Sequence, residues 1–167
     1  MKNLRIIITG GTLDKVHNLR TEALDFQADG SSHIPEMLHL GRCYFPKIEV
    51  LFLKDSLGLI EADREELVQA VLAAPENNIV VTHGTGTLGE TARYLAQHVT
   101  EKSVVLTGAM RPYSLHASDA DFNLGGAIIA AQMVEPGVWG VMNGRVFPAN
   151  KLNKNIDYGR FDIPPSQ

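Results

Sequence analysis

The chain has a single cysteine, Cys43, among its 167 residues. One thiol excludes an intrachain disulfide framework, and with no Cys-x-x-Cys or His–Cys cluster the spacing of a structural zinc site is missing. No apolar run approaches the ~18 residues needed to cross a bilayer, so a membrane is not an expected partner. A surplus of basic charge is also lacking. Fifteen Lys and Arg stand against nineteen Asp and Glu, a net charge of −4 with no basic tract, which argues against nucleic acid. Hydrophobic residues are 44% and charged residues 20%, the composition expected of an ordinary globular domain. There is no internal repeat and no low-complexity tract. The amino terminus enters its first strand-like run within a few residues, so no signal peptide is expected and the cytoplasm is the expected location.

What is present is an alternation. Short, apolar, β-branched runs at residues 4–9, 48–53, 79–82, 103–107 and 138–142 read as buried parallel strands. Helical patterns lie between them at 33–41, 62–74, 87–99 and 118–133. Asp63 opens the second of these, with Glu66 three residues on. Thr87 with Glu90 has capping-box spacing, and Ser118 or Asp119 is the expected cap of the last. Alternation of this kind implies right-handed crossovers, and the predicted fold is one α/β domain over 1–167. Its centre is a doubly wound parallel sheet of about five strands with helices on both faces. Two stretches resist the pattern. Residues 14–32 are polar and long for a connection, which marks a mobile lid or disorder. Residues 148–167 are irregular and read as an arm packing on a partner subunit or a frayed tail.

Two strands run directly into glycine-rich turns that end in threonine. LRIIIT leads into Gly10-Gly11-Thr12, and IVVT leads into His83-Gly84-Thr85-Gly86-Thr87. In an open parallel sheet, strand ends form the edge at which ligands bind. Glycine lets the backbone turn sharply and approach a ligand, and leaves the hydroxyls facing the crevice. Thr12 and Thr85 therefore form a candidate nucleophile pair. Each has a plainer reading as a turn or helix cap. No G-x-G-x-x-G opens a helix after the first strand, so dinucleotide binding is a poor fit.

Four segments carry a family resemblance. GGTLDK (10–15) and VTHGTGTLGETARYL (81–95) resemble the two signatures of bacterial-type L-asparaginases. LTGAMRPYSLHASDADFNL (106–124) resembles the segment that follows, and VMNGRVFPANKLNKN (141–155) the stretch that ends in the family's active-site lysine. The resemblance covers the amino-terminal domain of that family, and its second domain is expected to be absent. It implies an amide hydrolase acting on a small carboxamide such as L-asparagine, without metal or organic cofactor. Thr12 would be the nucleophile, with Thr85 and Lys154 as activators. Ser56, Gly11, Gly84 and Gly86 would be the substrate-binding positions. His83 is expected to be a satisfied core histidine and Arg111 a structural one. Gly86 departs from the family's His-Gly-Thr-Asp-Thr, so the acid beside the second threonine is missing. Asp14, Asp119 or Asp121 could restore a carboxylate from a nearby loop. Reduced or altered activity is expected, and the alternative is a non-catalytic or differently catalytic protein that binds a small acidic or amide metabolite. The family completes its site between subunits, so a homodimer or larger homo-oligomer is expected. Leu67, Val71, Ile128 and Ile129 are the candidate contact residues.

Overall fold

A computed structural model describes residues 3–162. Its elements in chain order are β1 (Leu4–Gly10), β2 (Val16–His17), β3 (Leu24–Asp25), α1 (Ile34–Leu40), β4 (Lys47–Lys54), α2 (Glu61–Ala73) and β5 (Asn78–Thr82). These are followed by α3 (Leu88–Ala96), β6 (Ser103–Thr107), α4 (Ala120–Ala131), β7 (Gly137–Met142), β8 (Arg145–Pro148), β9 (Lys154–Asn155) and β10 (Arg160–Phe161).

The main sheet has six strands in the order β4-β1-β5-β6-β7-β8. The five strands expected from the apolar runs are its parallel members. The sixth, β8, pairs antiparallel with β7. Its sequence, RVFP, is too short and too mixed to be seen as a strand without the neighbour it pairs with.

Alternation along each strand splits the core into two layers. Ile7, Ile79, Val81, Val104 and Leu106 face α2 and α3. Ile6, Ile8, Val80 and Val105 face α1 and α4. Strands covered on both faces must be apolar at every position, which is why the runs are unbroken. Truncating one of these, as in Ile7→Ala, is expected to cost about 2–5 kcal/mol, because the site is fully enclosed and cannot collapse onto the gap. Leu67, Val71 and Ile128 belong to this core and so cannot form a subunit contact; of the four candidates Ile129 alone is well exposed, at 59%.

The caps differ from the sequence expectation. Asp63 sits inside the first turn of α2, where its carboxylate accepts from the Ile60 N–H at 3.1 Å and pairs with Lys54. Thr87 precedes α3 but sends its hydroxyl to the Ser56 carbonyl at 2.8 Å. Asp119 precedes α4, yet its carboxylate accepts from the N–H groups of Met110 and Arg111. The Ala120 N–H is served instead by the Ser118 hydroxyl at 3.0 Å. In two of these helices the side chain at the start is recruited by a neighbouring strand-end loop, a use that spacing does not reveal.

Residues 14–32 are not a featureless loop. They carry the β2–β3 hairpin. The buried Asp14 ties the segment at its far end, accepting from the Ser32 hydroxyl at 2.7 Å and the His33 N–H at 2.8 Å. The arm also packs on its own domain rather than fraying: Leu152 and Phe161 are core residues, and β9 pairs with β10. Residues 163–167 of that arm lie outside the described residues.

Candidate functional site

β1 and β5 are adjacent, with β4 beyond β1 and β6 beyond β5. The chain thus leaves β1 toward one side of the sheet and β5 toward the other. This switch point opens a crevice outside the strand ends. The two glycine–threonine turns stand there and touch each other. A Cβ added to Gly11 would lie 2.3 Å from the Gly84 nitrogen, so only glycine permits this approach. Gly11 also has φ of +84°, a conformation that L side chains rarely adopt.

The turn after β4 supplies the third wall. A Cβ on Gly84 would lie 2.5 Å from Ser56 Oγ, which places Ser56 against the second turn. Asp55 fixes the Ser56 turn by accepting from the Leu57 N–H at 3.0 Å and pairing with Lys15. Lys15 is the main cause that holds the Asp55 carboxyl below its ordinary pKa, followed by the Leu57 hydrogen bond.

Lys154 enters from the other end of the chain. Its Nζ donates to Thr85 Oγ1 at 3.1 Å. Several small residues make that reach possible. Gly89, in the first turn of α3, lies so close to the Leu152 carbonyl that a Cβ there would be 2.1 Å away. Gly140 on β7 leaves the space filled by the Leu152 side chain. Arg93 Nη1 then donates to Asn153 Oδ1 at 3.3 Å. Gly89 is the residue that sequence reasoning missed. A glycine inside a helical pattern was the available signal.

A crevice of about 430 Å³ lies between α3, the Ser56 turn and the arm. Thr85, Gly86 and Lys154 line it, together with Leu57 and Leu152. Ser56, Gly84 and Gly11 stand behind these residues, and Thr12 is across the Gly11–Gly84 contact rather than in this lining. Thr12 is half-buried, and its hydroxyl has no hydrogen-bond partner among the described residues. Thr85 is 6% exposed and engaged with Lys154. The Gly11 N–H donates to the Lys54 carbonyl at 3.0 Å and so is not available to a ligand.

Gly86 does not have a positive φ, so glycine is not required there by the backbone. Of the three aspartates considered as substitutes for an acid at 86, Asp14 and Asp119 hold other groups and Asp121 stands at a different groove. Asp14 is buried and holds Ser32 and His33, and its burial pushes its carboxyl pKa up. Asp119 is bound to Met110, Arg111 and Asn123. Asp121 stands on α4, lining a separate groove with Met37 and Ile128.

His83 is fully buried behind the second turn. Its Nδ1 lies 2.8 Å from the Gly84 carbonyl, and its Nε2 has no partner among the described residues. Loss of solvation pulls its pKa down to about 4, against the opposing hydrogen bond to Gly84. The ring is neutral at pH 7, with Nδ1–H donating to Gly84. Arg111 is structural, donating to the His116 and Leu115 carbonyls. Thr107 also ends a strand at this edge, but its hydroxyl is committed to the Val141 carbonyl. No group of three or more His, Cys, Asp or Glu side chains placed to hold a metal is present among the described residues. Nor does any helix among them have the length and apolarity to cross a membrane.

The chain is similar to known proteins over most of its length. The family description "Asparaginase, N-terminal" matches residues 3–160. L-asparaginase 2 of Bacillus subtilis is 30% identical over 165 residues, covering 92% of this chain and 44% of the relative. A glutamyl-tRNA(Gln) amidotransferase subunit from Methanococcus vannielii is 31% identical over 150 residues, covering 87% of this chain and 35% of the relative. Among solved structures, the thermostable L-asparaginase from Thermococcus kodakarensis superposes with a TM-score of 0.77 at 29% identity, over 92% of this chain and 48% of that one. The chain thus spans less than half the length of these relatives.

Proposed function

The chain belongs to the asparaginase family, through that family's amino-terminal domain, and from this premise we propose that it is an amide hydrolase acting on a small carboxamide. The observation that carries the reading is the Lys154–Thr85 hydrogen bond, in a turn that meets the Thr12 turn through Gly11 and Gly84. Three segments far apart in sequence supply these groups. A hydroxyl is a poor nucleophile until a neighbouring group takes its proton or stabilises its anion.

In the proposed reaction, Thr12 Oγ attacks the carboxamide carbon. The C–N bond breaks, ammonia leaves with the hydroxyl proton, and an ester to Thr12 remains. Water then cleaves the ester to a carboxylic acid and regenerates the hydroxyl. Thr85 and Lys154 act on the water or the leaving group, with Lys154 holding the Thr85 hydroxyl in place through the hydrogen bond it donates. Gly86 supplies no carboxylate beside Thr85, which supports reduced turnover of L-asparagine itself. It also supports a second reading, a binding protein for a small acidic or amide metabolite. The site operates without metal or organic cofactor, in the cytoplasm, in a homo-oligomer.

An ammonia-release assay across asparagine, glutamine, their peptides and simple amides tests this. The expected result is turnover of at least one amide, abolished in Thr12→Ala. Release that survives unchanged in Thr12→Ala would remove Thr12 as nucleophile. No release from any amide would leave the binding reading.

A further inference from the structure

The wall of the Thr85 crevice has a chemistry that limits what can enter. Position 86 has no side chain, and Leu57 occupies the space instead. A Cβ at 86 would lie 2.8 Å from Leu57 Cδ2 and 3.1 Å from Ser56 Oγ. Leu57 is 79% exposed and Ile156 is 83% exposed, yet both line this one crevice. Two large apolar side chains thus stand in solvent at the mouth of a polar site.

The charges there are unbalanced. Lys154 and Arg93 line the crevice against a single acid, Glu90. Glu90 already faces a cation of its own, Arg64 Nη2, at 3.4 Å. An ammonium group on a ligand would therefore enter beside Lys154, where the one carboxylate among the described lining residues, Glu90, is already paired with Arg64. Like charges at such range repel, and a cation moved out of water needs a partner. An apolar group in the same place would cover Leu57 and Ile156 and gain from leaving water.

We propose that the crevice is selective for an N-acylated amino-acid amide. This is a side-chain carboxamide whose α-nitrogen carries an apolar acyl group, seated on Leu57 and Ile156, instead of a free ammonium. The proposal rests on the amide-hydrolase reading for its reacting group, but its selectivity is a binding property and is measured separately.

The experiment compares L-asparagine, N-acetyl-L-asparagine and N-hexanoyl-L-asparagine, by calorimetric titration and by ammonia release. Wild type, Leu57→Asp and Leu57→Asn are used. N-hexanoyl-asparagine is expected to bind at least tenfold more tightly than free asparagine, with the acetyl compound between them. Leu57→Asp should weaken the hexanoyl ligand at least tenfold and strengthen free asparagine. Leu57→Asn should weaken the first without strengthening the second, which separates charge from packing. Free asparagine binding as tightly as the acylated forms, or no ligand binding at all, would overturn the proposal. Binding in the expected order without ammonia release would support the subsite and remove the hydrolase reading. Turnover that favours free asparagine would do the reverse.

Discussion

The turn after β1 and the turn after β5 begin from nearly the same local pattern, an aliphatic strand followed by glycine and threonine, and the fold uses them differently. In the first, Gly10 and Gly11 have φ of +94° and +84°, so the backbone conformation itself demands glycine. In the second, neither Gly84 nor Gly86 has a positive φ. Gly84 is required there by crowding against Ser56, and Gly86 is crowded chiefly by the end of the flexible Leu57 side chain. The threonines differ as well. Thr12 is half-buried, its hydroxyl without a hydrogen-bond partner among the described residues, and Thr85 is buried and bonded to Lys154. Similar turn chemistry therefore yields one half-buried threonine and one buried threonine held by a lysine. The difference comes from what each turn meets across the sheet edge.

The sharpest way to break that comparison is kinetic. On the best amide found, Thr12→Ala is expected to abolish ammonia release, a loss on the order of a thousandfold or more. Lys154→Met should lose on the order of a hundredfold by removing proton transfer, with thermal stability changed by no more than about 1 kcal/mol. An ester adduct mapped by mass spectrometry to Thr85 rather than Thr12 would reverse the two roles.

The next effect is on stability. Gly11→Ala combines an unfavourable φ with a backbone clash, and should destabilise by about 3 kcal/mol or more. Gly86→Ala meets only side-chain atoms, chiefly Leu57, and should stay within about 1 kcal/mol. Denaturant midpoints of the two variants check this directly. Equal losses would mean that the two turns are not distinguished by backbone conformation.

A third test uses pH. His83 has a folded pKa of about 4, against 6.5 ordinarily. A depressed base binds fewer protons folded than unfolded, so its contribution to stability is complete above pH 6.5 and is lost as pH falls toward 4. The difference between those two values corresponds to about 3 kcal/mol. Stability measured from pH 7 down to 4 should fall by that order more in wild type than in His83→Phe. Parallel pH profiles would show that the ring is not held neutral by burial.

The smallest expected effect concerns the second turn alone. Thr87→Val removes the hydroxyl that bonds the Ser56 carbonyl and should cost about 1 kcal/mol. Its enzymatic effect should exceed its effect on stability, because that bond holds the Ser56 turn against Gly84. A drop in stability with unchanged turnover would confine Thr87 to packing.

The five parallel strands were legible because burial on both faces leaves an unbroken aliphatic signature within a few residues. β8 was not, since an edge strand of four residues shows little pattern of its own. The first hairpin, residues 16–25, was not either. It is held by Asp14 reaching Ser32 and His33 and by Ser114 bonding the Lys15 carbonyl, and such contacts between polar residues leave no periodicity.

At the site, the glycine–threonine turns and Lys154 could be named from sequence, because strand-end position and motif spacing are local properties of the chain. Their meeting could not. Lys154 and Thr85 are separated by 69 residues. They come within 3.1 Å where Gly89 and Gly140 clear a path for Leu152, while the neighbouring β1 and β5 bring Gly11 against Gly84. The missing carboxylate at 86 was visible in the sequence, and the leucine that fills its place was not. A residue type is a property of the chain, whereas the occupant of an empty volume is decided only when distant segments pack against one another.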